Sequence, residues 1–365
     1  MKIWIHKNDD YLRKYLQPDT DVRYIEEEQI RGAGVILIRS DDNLSQMPQA
    51  GIIEYFDKDL DSIRQLAQKK LSNNYDYYAL NYQLNREQDF DTVVVGSSYA
   101  LFDLDMELLP SWRNLALGSQ DIYYSYHLAR KMYEQCPYKR LVWGAHYYTI
   151  YSDLSRTQNV KELANITQIY SRIFPHGLGL HNALLIPNVL EEKVVSGIYD
   201  IDKTVQLFIN DYFKRNGNNY WNEQRSRFSC RCRLWQGDDV TWEEACAEEK
   251  VKAANYRAEM HNKSIRYTQS LDENMSILSE MGKWCLENGI EFYILNFPVS
   301  KLYHEVENRA FKEIYYDVMK VLEFPAVLLD FEDLEFGDEC FNDPDHLNDR
   351  GARKLTEILV NEIYK

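Results

Sequence analysis

The chain has 365 residues, a formal net charge of −16 and 45% hydrophobic residues, with 28 tyrosines and 7 tryptophans. That length holds one large domain or two ordinary ones, and the apolar fraction supplies a core in which many buried rings carry a polar tip. The acidic balance excludes a general nucleic-acid binder, since a phosphate backbone would be repelled, and no stretch reaches the length of apolar chain that a membrane span needs.

The cysteines, at 136, 230, 232, 246, 285 and 340, lack the density of a disulfide scaffold. The opening MKIWIHKNDDYLRK has no apolar core of a secretory leader, so a reducing, cytoplasmic setting is expected.

In chain order, short apolar runs at Ile3-Trp4-Ile5, Val35-Ile36-Leu37-Ile38 and Ile52-Ile53, with helical spacing over 59–71, predict a small α/β unit over 1–85. The Asn- and Tyr-rich stretch 72–87 reads as a junction. Beyond it, strands are expected at 92–95, 114–117, 140–143, 291–295 and 326–329, with helices over 122–134, 300–322 and 349–364. Nearly continuous apolar strands alternating with helices predict a parallel sheet covered on both faces. The fold class expected for 86–365 is therefore a flavodoxin-like three-layer α/β/α sheet. It is interrupted at about 147–285 by a large, mostly helical insertion.

The stretch DTVVVGSSYALFDLD, 91–105, ends a buried strand on Gly96 and sets Ser97 and Ser98 at the turn. In an open parallel sheet, ligands sit beyond the carboxyl ends of the strands. A hydroxyl there has backbone N–H groups around it, which can stabilise an oxyanion. The same stretch also fits a plain turn with a serine N-cap. Near the C-terminus, CFNDPDHLNDRGARKLTEIL holds Asp343 and His346 three apart, before the last helix. A serine hydroxyl needs an imidazole to take its proton, and the imidazole needs a carboxylate to fix its tautomer. An Asp-x-x-His turn can supply both. A cap at Asn348 or Asp349 explains the acids and amides of this stretch but leaves His346 unexplained.

Together, G-x-S after the first core strand and D-x-x-H before the last helix resemble the SGNH (GDSL-like) hydrolase family, over roughly 88–365 with the insertion set aside. The resemblance implies Ser98 as nucleophile, Asp343 and His346 as acid and base, and Gly118, in NLALGSQ, as a backbone donor to the oxyanion. The family's third block is Gly-x-Asn; here WGAHYY places His146 where the Asn is expected, and Ser97 stands at a position that is often Asp. The pattern is also similar to the glycan O-acyltransferase branch of that superfamily. This implies an ester of a small molecule or glycan as substrate, with an acyl donor where the reaction is transfer. The other class of function is a catalytically reduced scaffold that binds a glycan or protein partner through its insertion.

Asn296, after the fourth core strand, is expected to line the pocket or to start the turn before Pro298. Asp103 and Asp105 read as a solvated or capping pair. Trp221, Trp235 and Trp242 suit cap packing better than sugar stacking, and His176 and His181 flank glycines of a loop. Cys230 and Cys232, with Cys246 and Cys285 downstream, lack the two-residue spacer and nearby His common in zinc sites, so no metal is expected, and no cofactor.

Overall fold

In the computed structural model, the backbone is described for residues 3–6, 22–25, 35–39 and 52–55. Backbone and side chains are described for 80, 83–84, 89–157, 169–170, 173–174 and 241–364, and two short strands at 233–234 and 238–239 complete the set. The expected helix over 59–71, most of the insertion, Trp221, Trp235, Cys230, Cys232, His176 and His181 lie outside these residues. The chain divides into two compact units, residues 1–88 with 154–220 and residues 89–153 with 221–365.

The first unit carries a parallel sheet of four strands, β1 (Ile3–His6), β2 (Val22–Ile25), β3 (Val35–Arg39) and β4 (Ile52–Tyr55), in the order β2-β1-β3-β4.

The second unit is an α/β three-layer fold built on five parallel strands. Along the chain run β5 (Thr92–Gly96), α1 (Ser98–Phe102), β6 (Trp112–Asn114), α2 (Ile122–Gln135) and β7 (Arg140–Ala145). The small antiparallel pair β8 (Arg233–Leu234) and β9 (Asp238–Asp239) precedes α3 (Ala247–Asn262) and α4 (Thr268–Glu287). Then come β10 (Glu291–Asn296), α5 (Lys301–Val306), α6 (Ala310–Val321), β11 (Val327–Asp330) and α7 (Asp349–Ile363). The sheet order is β11-β10-β7-β5-β6. Counted along the chain this is 2-1-3-4-5, the flavodoxin-like order, whose direction of winding reverses between β5 and β7. Right-handed crossovers put α2, α4 and α6 on one face and α1 and α7 on the other.

β5 is buried at every position, as a strand covered on both faces must be. α7 buries Ala352, Leu355, Leu359 and Ile363, one stripe at helical spacing. β6 begins earlier than its apolar run suggests. Trp112 is buried with its Nε1–H donated to the Tyr364 hydroxyl at 2.8 Å, and the buried Arg113 lies 4.2 Å over the Phe90 ring. The apolar residues 115–117 follow the strand and keep alongside β5, Leu115 N–H donating to the Val94 carbonyl at 2.7 Å and Leu117 N–H to the Gly96 carbonyl at 3.2 Å, while the Asn114 side chain accepts the Ala116 N–H and donates to the Ala100 carbonyl. The helix expected over 300–322 is two helices. Glu307 is extended between them, and the Asn308 side chain accepts the Ala310 N–H at 3.1 Å, starting α6 afresh. No helix among the described residues is long and apolar enough to cross a membrane.

At the reversal point the two central strands touch through glycine. Gly96 has φ +135°, and a Cβ there would lie 1.9 Å from the Gly144 carbonyl oxygen. That same oxygen accepts the Ser97 N–H at 3.1 Å, so the contact aims the turn that follows. Gly96→Ala must push apart β5 and β7 and adopt a backbone conformation that L-residues avoid. A loss of about 3 kcal/mol or more is expected, read as a lower midpoint in urea unfolding; an unchanged midpoint would show that the strands separate freely.

Candidate active site

Ser98 follows the β5 turn as the first residue of α1, with its side chain partly exposed while its neighbours in the strand are buried. His346 comes from the loop between β11 and α7. That loop is fastened at several points. Asp343 Oδ1 accepts the backbone N–H of Asp345 at 3.0 Å and of His346 at 2.9 Å, closing an Asx turn around Pro344. Ser300 N–H donates to the Pro344 carbonyl at 2.9 Å, and Asn342 N–H to the His346 carbonyl at 2.9 Å. Asn348 caps α7 by accepting the Gly351 N–H at 3.1 Å, which decides between the two cap candidates of the sequence.

This loop brings three distant side chains together. The Ser98 Oγ is 2.9 Å from His346 Nε2, and His346 Nδ1 is 3.1 Å from each Asp343 carboxylate oxygen. Burial alone would push His346 down, but the Asp343 and Asp345 carboxylates outweigh it and hold the imidazole at about 9. Burial likewise works against the Asp343 charge, and the imidazolium beside it wins, lowering the carboxyl to about 2. Neutral imidazole, the form able to accept the Ser98 proton, is therefore on the order of one molecule in a hundred at pH 7 and grows toward pH 9.

The other expected residues fall in different places. Gly118 lies in the turn after β6, closed by Gln120 N–H to the Leu117 carbonyl at 3.1 Å, and the space where its Cβ would stand is open. Ser97 is buried as the N-cap of α1, without a side-chain cap bond. Asn296 is fully buried at the end of β10, with the Tyr315 hydroxyl as polar neighbour, so it serves the core and not an accessible wall. His146, just after β7, is fully buried; its Nδ1 is 3.1 Å from Glu307 Oε1, an ion-pair contact without hydrogen-bond alignment, and its ring stacks on Tyr99.

Tyr99, Asp345 and Arg257, which sequence reasoning passed over, complete the site, together with Asp103, which it read as part of a solvated or capping pair. The Tyr99 ring stacks on His346 at 4.8 Å and on His146 at 5.3 Å, and its hydroxyl donates to Asp345 Oδ2 at 2.8 Å. Arg257, on α3, donates Nε–H to both Asp345 oxygens at 2.7 and 3.0 Å. Asp103 is buried rather than solvated. Its Oδ1 accepts the Leu347 N–H at 3.0 Å, and burial raises its carboxyl well above the usual range. Asp105, also buried, does cap the short turn after α1, through the Glu107 N–H at 3.1 Å. Tyr99 and Asp103 thus tie the serine segment to the histidine loop at two places. Asp345 had a visible signal, a second acid inside D-x-x-H; Arg257, deep in a polar helix, had none.

Metal-ligand atoms also converge elsewhere. His146, Glu307 and Glu332, all buried, offer donors within 4.8 Å of one another. Glu332 is already held by Lys312 Nζ at 2.6 Å, the Tyr147 hydroxyl at 2.9 Å and His304 Nδ1 at 2.9 Å, so an ammonium supplies the cation there. Cys136, Cys246, Cys285 and Cys340 are free thiols, two exposed and two buried.

The model of an uncharacterised family matches residues 247–365, a stretch that carries Arg257, Asp343, Asp345 and His346 and leaves Ser98 outside. No curated protein matches the chain.

Proposed function

We propose that the chain is a serine-dependent esterase or O-acyltransferase of the SGNH type, working through an acyl-enzyme on a carbohydrate ester in the cytoplasm. The observation that carries this reading is the unbroken relay from the Ser98 hydroxyl to His346 Nε2 and from His346 Nδ1 to Asp343, at 2.9 and 3.1 Å. It lies at the reversal point of the sheet, where such folds bind ligands. His346 takes the Ser98 proton as Oγ attacks the ester carbonyl, and Asp343 stabilises the imidazolium that forms. The N–H groups of Ser98 and Gly118 receive the oxyanion. The imidazolium returns its proton to the departing alcohol, leaving Ser98 acylated. Water or a sugar hydroxyl, deprotonated by His346, then releases the acyl group. The free thiols fit a reducing compartment.

A fluorophosphonate probe, followed by intact mass and peptide mapping, tests this. One adduct is expected, on the peptide bearing Ser98. Its rate of formation should rise with pH through a limb near 9, because protonated His346 cannot accept the hydroxyl proton. Absence of an adduct across the whole pH range would sink the reading. A second reading has an observation of its own. His146 is fully buried with Glu307 as its partner, and the carboxylates beside His346 stabilise its protonated form, which favours a scaffold that binds a glycan or partner with its chemistry reduced. That reading predicts glycan binding with no adduct.

A further inference from the structure

The loop that presents His346 holds two carboxylates, and only one of them can serve the imidazole. Neutral His346 in the useful tautomer has a single Nδ1–H. Asp343 offers both oxygens at 3.1 Å, while Asp345 Oδ1 stands 3.8 Å from the same nitrogen. Asp345 is fully buried, and a buried carboxylate left without a partner would turn on the nearest proton. Its partners come from elsewhere in the fold: Arg257 Nε at 2.7 and 3.0 Å from α3, and the Tyr99 hydroxyl at 2.8 Å from the residue after the nucleophile.

We propose that Arg257 is a positioning residue: by engaging Asp345 it reserves His346 Nδ1 for Asp343 and limits how tightly the imidazole holds a proton. This rests on the esterase reading above. The groups facing His346 are Asp343 and Asp345 on its own loop, Ser98 and Tyr99 on α1, the Phe102 ring edge at 6.2 Å, Asp103 behind Leu347, and, from α3, Arg257 and the buried His261, which burial and the Arg257 charge hold well below the usual imidazole range. Among these Arg257 is the permanent cation, since a guanidinium keeps its charge at every working pH. Removing it unbalances the site in one direction. Asp345 then adds its full charge to that of Asp343, imidazolium is stabilised, and the base form appears only at higher pH.

The experiment follows fluorophosphonate labelling of Ser98 from pH 6 to 10.5 in the full chain and in Arg257→Met, Arg257→Lys and Tyr99→Phe. Arg257→Met should move the rising limb upward by about one pH unit and slow labelling below the limb roughly tenfold. Arg257→Lys keeps the charge and should bring the limb most of the way back. Tyr99→Phe keeps the stacked ring but takes one donor from Asp345, and should move the limb the same way by less. A merely structural role would lower the amplitude and leave the limb in place. A wild-type limb in Arg257→Met overturns the proposal, as does one in Tyr99→Phe should the Met variant fail to fold. An unlabelled wild-type protein would sink the esterase reading instead. In that case NMR titration of His346 still decides: the imidazole should titrate higher in Arg257→Met, and an unmoved titration rejects the role of Arg257.

Discussion

Ser98→Ala should abolish turnover of p-nitrophenyl acetate, by roughly ten-thousandfold or more relative to the wild-type protein at pH 9. The substitution removes one oxygen from a partly exposed side chain whose hydrogen bond is to His346 Nε2. Little packing is lost, so the thermal midpoint should hold while the rate falls. That combination separates loss of a nucleophile from loss of the fold. Activated esters also acylate exposed amines and phenols, and this chain has 28 tyrosines, so the comparison must count turnovers beyond one per molecule. Equal steady-state rates in the two proteins would remove Ser98 from the chemistry.

Asp343→Asn should cost on the order of ten-thousandfold in turnover, for a different reason. The asparagine carbonyl can still accept the Asp345 and His346 N–H bonds, at 3.0 and 2.9 Å in the present structure, so the turn around Pro344 survives. What changes is the face offered to the imidazole. An amide N–H opposite Nδ1 selects the tautomer protonated on Nε2, and that nitrogen then points a hydrogen at the Ser98 hydroxyl instead of a lone pair. Asp343 is also the first of the groups that hold His346 high, so the residual activity should show its limb below 9. Turnover with the wild-type limb and amplitude would assign the orienting role to another group.

The parts of this architecture that could be read beforehand are those written in neighbouring residues. Val93 to Val95 are apolar at three successive positions, as a strand covered on both faces requires, and the turn at Gly96 announces itself through glycine and two serines. Asp343 and His346 stand close enough for one turn to join them, so their pairing followed from spacing. The missing parts are contacts with no local signature. Arg257 meets Asp345 across 88 positions and Tyr99 meets it across 246. Nothing around Arg257 distinguishes it from the other cations of a polar helix. His146 stands where the sequence placed it, after the third core strand, but its partner there, Glu307, had no local signature. That carboxylate reaches it only because the chain breaks out of helix between α5 and α6. A smooth apolar periodicity over 300–322 concealed the break.

The hydroxyl and its base are 248 residues apart, one beside the first core strand and the other on the connection that follows the last. A ribosome therefore exposes Ser98 long before it makes His346. Through that interval the serine is an ordinary alcohol, unreactive toward any ester it meets. The Ser98–His346 hydrogen bond forms only when the edge strand has paired and its outgoing loop has reached back across the sheet to Pro344's anchor at Ser300. On the esterase reading proposed above, the long separation ties catalytic competence to completed folding rather than to the presence of the serine alone.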